Sequence, residues 1–65
     1  MVKNYSRIKL VTDRFTSEGV FTGMVGYIIE SYPDGNFEVE FSKASGETIS
    51  QIVASPSDFV DFAED

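Results

Sequence analysis

The cleanest alternation in the chain is NFEVEFS, residues 36–42, where Phe37, Val39 and Phe41 fall on one side and Glu38 and Glu40 on the other. That period of two marks a strand with one buried face. RIKLVT, residues 7–12, alternates in the same way, with Ile8, Leu10 and Thr12 facing inward and Arg7, Lys9 and Val11 outward. MVGYIIESY, residues 24–32, is a strand by its β-branched and aromatic content, and Gly26 within it marks a bulge, a bend or a close backbone approach. TISQIVAS, residues 48–55, is a further strand with Ile49 and either Gln51 or Ile52 turned inward. A change of face between Ser50 and Ile52 suits a bulge or a sharp bend.

The connections are as informative. Residues 1–6 read as a frayed start, and DRFTSEGVFTG, residues 13–23, as a long loop anchored by Phe15, Val20 and Phe21. KASGE, residues 43–47, is a turn. In SPSD, residues 55–58, Ser55 can cap, Pro56 suits a first helical position and Asp58 is favourable in a first turn. FVDF follows directly, so one 3₁₀ turn leads into a short last strand. The sum is a single all-β domain over residues 1–65: a small, strongly bent, SH3-like antiparallel barrel of five strands with one 3₁₀ turn before the last. An OB-like barrel needs more residues and a longer helix.

The hairpin SYPDGNFEVEF, residues 31–41, fixes which side chains face each other. Proline presets φ near −65° and lacks a ladder donor, so Pro33 belongs at the second position of a type I turn, with Gly35 in the left-handed position of a three-residue loop. Continuous pairing from that loop sets Ser31 against Phe37, Glu30 against Glu38, Ile29 against Val39, Ile28 against Glu40 and Tyr27 against Phe41. Val25, Tyr27 and Ile29 then point inward, while Ile28, Glu30, Glu38 and Glu40 form an outer face. Like charges directly opposite destabilise a pair by about 0.2–1 kcal/mol. The face is either a solvated surface that protects the sheet from aggregation or an acidic docking site with Ile28 and Tyr32 as apolar anchors and Asp34 beside them.

Composition narrows the chemistry. A 65-residue chain buries only about 60% of its exposable surface, so its nine aromatic residues must supply much of the core. Cysteine is absent, which leaves packing rather than disulfides to hold the fold and agrees with a cytoplasmic setting. No apolar run is long enough for a membrane span, and MVKNYSRIKLV carries no signal-peptide core. Histidine is absent too, removing the commonest general base and metal ligand near neutral pH. The net charge of −6 is uneven: residues 1–14 hold Lys3, Arg7, Lys9 and Arg14 against Asp13, while residues 15–65 hold Lys43 against ten carboxylates. Such a surface repels a phosphate backbone and suits a basic protein partner.

No catalytic or metal constellation emerges. Glu38 and Glu40 share a face simply because strands alternate, Gly23-Met24-Val25-Gly26 lacks the lysine and the helix of a phosphate loop, and Asp34-Gly35-Asn36 has too few oxygen ligands for calcium. The expectation is a non-enzyme without cofactor.

GMVGYIIESYPDGNFEVEFSKASGETI followed by SPSDF resembles a family of small uncharacterised bacterial SH3-like proteins. The shared course is a basic first strand, a glycine-punctuated second strand, a turn, the EVEF strand, the GET turn and a closing Asp58-Phe59 segment. Members are often encoded beside toxin-like genes, so the resemblance implies an immunity protein or antitoxin that inhibits a cognate basic toxin by stoichiometric binding. The partner contacts expected are Ile28, Glu30, Tyr32, Asp34, Glu38 and Glu40. A wider similarity, through Gly23 to Ile28, runs to KOW-type barrels of ribosome and transcription factors. That class carries lysine or arginine where Met24 and Tyr27 stand here. A KOW-like module would use Lys3, Arg7, Lys9 and Arg14. A proline-rich peptide groove built on Tyr5, Tyr27 and Tyr32, or an accessory-subunit role, are further alternatives.

Overall fold

The structure, a computed structural model, describes residues 5–62. Strands β1 (Arg7–Leu10), β2 (Val25–Ser31), β3 (Phe37–Ser42), β4 (Thr48–Ala54) and β5 (Phe59–Asp61) form one antiparallel sheet in the order β4-β3-β2-β1-β5. One 3₁₀ turn, Pro56–Asp58, precedes β5, as the sequence predicts, and another, Thr16–Glu18, lies in the β1–β2 loop. Of the start expected to fray, residues 1–4 lie outside the described residues. Tyr5 and Ser6 bond to β2: the Tyr5 N–H donates to the Ile28 carbonyl, and the Ile28 N–H donates to the Ser6 carbonyl at 3.0 Å.

The sheet folds back on itself. Phe37 of β3 and Phe59 of β5 are separated in the sheet by β2 and β1, yet their rings meet edge to face with centroids 5.7 Å apart. Ile8, Leu10, Ile28, Val39, Phe41, Ile52 and Ala54, all buried, form one core cluster with Phe59, and Phe37 packs against it. The long loop closes the core with Phe15 and Val20. Phe21, expected to anchor it as well, is exposed: it opens a turn whose last N–H, on Met24, donates to the Phe21 carbonyl, and Met24 is the side chain that packs inward.

Two bulges set the faces: the one in β2 alters the register expected from sequence, and the one in β4 lies at Ile49, just before the Ser50–Ile52 stretch where a bulge or bend was expected. Ser31 and Glu30 do pair with Phe37 and Glu38, but Ile28 then pairs with Val39 and Tyr27 with Glu40, leaving Ile29 as the extra residue. The cause is packing. A Cβ on Gly26 would stand 2.8 Å from the Phe41 ring, so the bare backbone of Gly26 must face the core to let that ring lie against it. With Gly26 inward, Ile28 is fully buried and Tyr27 is turned out. In β4, Phe41 pairs with Ser50 and Ser42 with Thr48, which makes Ile49 the extra residue. Ile52 and Ala54 therefore point inward, Gln51 points outward, and Ile49 is not the core residue expected.

Asp58 ties the ends of this arrangement together. It is 4% exposed, the one buried charged side chain among the described residues. Its Oδ1 accepts from Arg14 Nε at 2.9 Å and its Oδ2 from Arg14 Nη2 at 2.7 Å, a bidentate fork. Oδ2 also accepts from the Ser55 N–H at 2.8 Å, completing a capping box on the 3₁₀ turn. The Asp58 carbonyl accepts from the Val11 N–H at 2.8 Å, one rung past the Leu10–Phe59 pair, and β1 ends at Leu10 rather than at Thr12. The Arg14 fork in turn lies over the Phe15 ring, 4.3 Å from its centroid.

Two expected outcomes follow from these contacts. Arg14's hydrogen bonds, helped by the Ser55 N–H and opposed by burial, hold the Asp58 carboxyl below its ordinary value of 3.8. Its stabilisation is therefore complete above the unfolded value near 3.9 and is lost as pH falls through the lower folded value. Asp58→Asn should cost about 1–3 kcal/mol at pH 7 and flatten the loss of stability below about pH 4, both read from urea unfolding across pH. Gly26→Ala should cost about 1–3 kcal/mol by forcing Phe41 aside; an unchanged urea midpoint would remove Phe41–Gly26 packing as the cause of the β2 bulge.

Candidate functional site

The β2–β3 hairpin carries the acidic residues and its loop has the geometry expected from Pro33. The Gly35 N–H donates to the Tyr32 carbonyl at 3.0 Å, and the Tyr32 N–H donates to the Asn36 carbonyl at 2.8 Å. Gly35 has φ +92°, the left-handed position that closes a type I turn with a bulge. Asp34 stiffens the loop by accepting from the Asn36 N–H at 3.0 Å and from Asn36 Nδ2 at 3.3 Å. These bonds fix the first two pairs of the ladder, so Glu30 does lie opposite Glu38.

The structure relieves part of that conflict internally. Tyr32 Oη donates to Glu38 Oε1 at 2.8 Å. This hydrogen bond first, then burial, then the charges of Glu38, Glu30 and Asp34, hold the Tyr32 phenol above its ordinary value of 10.0. Tyr32 is thus a half-buried clamp on Glu38 rather than an exposed anchor. Glu40, farther along β3, accepts from Thr48 Oγ1 at 2.7 Å. Glu30 and Asp34 are exposed.

Ile28, expected as an apolar contact on this face, is buried in the core because of the bulge at Ile29. Its place is taken by residues that the uninterrupted register hides or leaves out. Tyr27 is 46% exposed and pairs with Glu40, while Val53 on β4 is 49% exposed and pairs with Glu38. The signal for Tyr27 was Gly26: once that glycine faces the core, its neighbour must face out. The outer face therefore consists of Glu30, Glu38 and Glu40 with Tyr27 and Val53 between and beside them.

The basic residues of β1 occupy the same side of the sheet. Arg7 pairs with Tyr27, and Lys9 pairs with Val25 and Val60. Both cationic heads lie over the Phe62 ring, at 5.0 Å for Arg7 and 4.9 Å for Lys9. Arg14 is held at Asp58, and Lys3 lies outside the described residues. Among the described residues there is no cavity, no group of three or more Asp, Glu, His or Cys placed to hold a metal, and no helix long and apolar enough to cross a membrane.

The model of one protein family, described as a domain of unknown function (DUF4926), matches residues 5–61. These limits run from Tyr5, the first described residue, which bonds to β2, to the last residue of β5. No curated protein and no solved structure matches this chain.

The Tyr32 clamp has a titration signature. A raised folded pKa means that its stabilisation is present below the unfolded value near 10 and is lost as pH rises through the folded value. Absorbance at the phenolate band should show a component that titrates above 10 and is missing in Tyr32→Phe. Tyr32→Phe removes one of three phenols, so a lost component that titrates at or below 10 would mean that the hydroxyl does not hold Glu38.

Proposed function

We propose that this chain, which belongs to the DUF4926 family, is a small SH3-like binding protein that acts by covering a basic protein partner. Its most concrete form is a cytoplasmic immunity protein or antitoxin that occupies the cleft of a cognate toxin. One observation carries the reading: Glu30 and Glu38 are fixed opposite each other by the three-residue loop, and Tyr32 donates to only one of them. Two carboxylates held at that spacing repel, and a lysine or arginine from a partner turns the repulsion into a favourable bridge. Glu40 and Asp34 extend the same negative field, which raises the rate of encounter with a basic surface. Tyr27 and Val53 supply apolar contact area beside the charges.

Arg7, Lys9 and Phe62, with Tyr27 alongside, favour a second reading as a KOW-like nucleic-acid module. The net charge of −6 opposes it, since affinity for a phosphate backbone grows with the number of cations that displace counterions. The accessory-subunit reading shares the acidic contact face and differs only in the partner.

The test is co-expression with the product of the neighbouring gene. The wild-type chain should relieve its toxicity and bind it at a rate that falls with salt. Changing Glu30, Glu38 and Glu40 together to lysine should leave the fold intact and slow association at least about tenfold at low salt. A rate independent of salt and of these three residues would defeat the acidic-face reading, and a harmless neighbour that co-purifies would move the function to an accessory subunit. Binding of RNA or DNA at low salt in a polarisation assay would favour the second reading.

A further inference from the structure

β4 ends the sheet. One of its edges pairs with β3, and no strand among the described residues pairs with the other. An open edge offers a row of N–H and C=O groups, which natural sheets blunt with short length, lysine, proline or inward charge. β5, at the opposite end, follows that rule: it has three residues and carries Asp61. β4 does not. It has seven residues, TISQIVA, without a charge or a proline, and beyond the extra residue Ile49 its register with β3 is unbroken from Ser50 to Ala54.

The charges beside the edge select its occupant. Val53 lies opposite Glu38, Gln51 lies opposite Glu40, and Glu47 stands just before the strand, 3.5 Å from Lys43. A second copy of this chain would meet the edge with a charge of −6 on each side and with no lysine or arginine in its own β4 to answer Glu38 and Glu40. A strand from a basic protein meets no such penalty. It would run about 4.8 Å beyond β4 and about 10 Å from β3. A lysine or arginine beside Val53 can lay its methylenes over that side chain and bring its charge to Glu38. A second basic residue, two positions along, reaches across Gln51 to Glu40.

We propose that residues 50–54 of β4 accept an extended segment of a partner protein, with basic residues at alternate positions, as a sixth strand of the sheet. The inference rests on the reading of the chain as a binder of a basic protein and adds the way the partner docks. Main-chain pairing supplies affinity, and the rows Val53–Glu38 and Gln51–Glu40 supply the preference for lysine or arginine.

The probe is a labelled ten-residue peptide of alternating lysine and valine, with two controls: the same peptide N-methylated at alternate residues, and one with glutamate for lysine. The lysine peptide should bind saturably in fluorescence polarisation and slow amide exchange within residues 50–54 about tenfold. N-methylation should weaken binding about tenfold or more, the effect of losing one or two hydrogen bonds, and the glutamate peptide should not bind. Val53→Lys should weaken binding to a similar degree while leaving thermal unfolding near that of the wild type. Absence of lysine-peptide binding, or binding indifferent to N-methylation, overturns the proposal. Toxicity relief that is lost in the triple lysine variant but untouched by Val53→Lys overturns strand addition and leaves the acidic-face reading standing. A dimer in sedimentation that Val53→Lys dissolves overturns the basic partner in favour of a second copy.

Discussion

The buried carboxylate of Asp58 is the constraint on which the closure of this small sheet depends. Burying a lone carboxylate in 65 residues would be ruinous, and it is tolerable here because four donor contacts converge on it, from Arg14 and Ser55. Each donor comes from a segment with no regular structure of its own. Arg14 belongs to the β1–β2 loop, and Ser55 to the junction between β4 and β5. Satisfying one charge therefore orders two irregular segments, and with them Phe15 and Phe59, both members of the buried core.

On the outer face, the uneven charge of the sequence becomes a spatial one. Arg7 and Lys9 line β1, Glu38 and Glu40 line β3, and β2 runs between them with Tyr27 linking the rows through its pairs with Arg7 and Glu40. Two strand spacings put the rows about 10 Å apart, close to a Debye length at 0.1 M salt. Each row therefore keeps much of its own field. On the proposed reading, the β1 cations would therefore not cancel the attraction of the β3 side for a basic partner.

What the sequence made legible was whatever local chemistry decides. Pro33 and Gly35 define their loop from five consecutive residues, and Ser55, Pro56 and Asp58 define the 3₁₀ turn from four. The alternation of Phe37 to Phe41 was equally plain. The parts that were not legible depend on distant partners. The slip at Ile29 follows from Phe41 lying on Gly26, fifteen positions away in the chain, and it moved Ile28 from the expected contact face into the core. Arg14 looked like a surface cation because nothing near it announces Asp58, 44 residues on. In the acidic site, Glu30 against Glu38 was readable from the turn, whereas the hydroxyl of Tyr32 folding over Glu38 was not.

The second hairpin repeats the loop of the first: the Gly46 N–H donates to the Lys43 carbonyl, the Lys43 N–H donates to the Glu47 carbonyl, and Gly46 has φ +95°. Two short self-registering loops in succession make β2, β3 and β4 a meander whose contacts join residues near in sequence. β1 and β5, by contrast, must find each other across some fifty residues, and the entropy of loop closure falls on that encounter. The strands bearing Glu30, Glu38, Glu40 and the open edge are thus the portion of the chain that is topologically quickest to assemble, and the slow, long-range step is left to β5 and to β1, which bears Arg7 and Lys9.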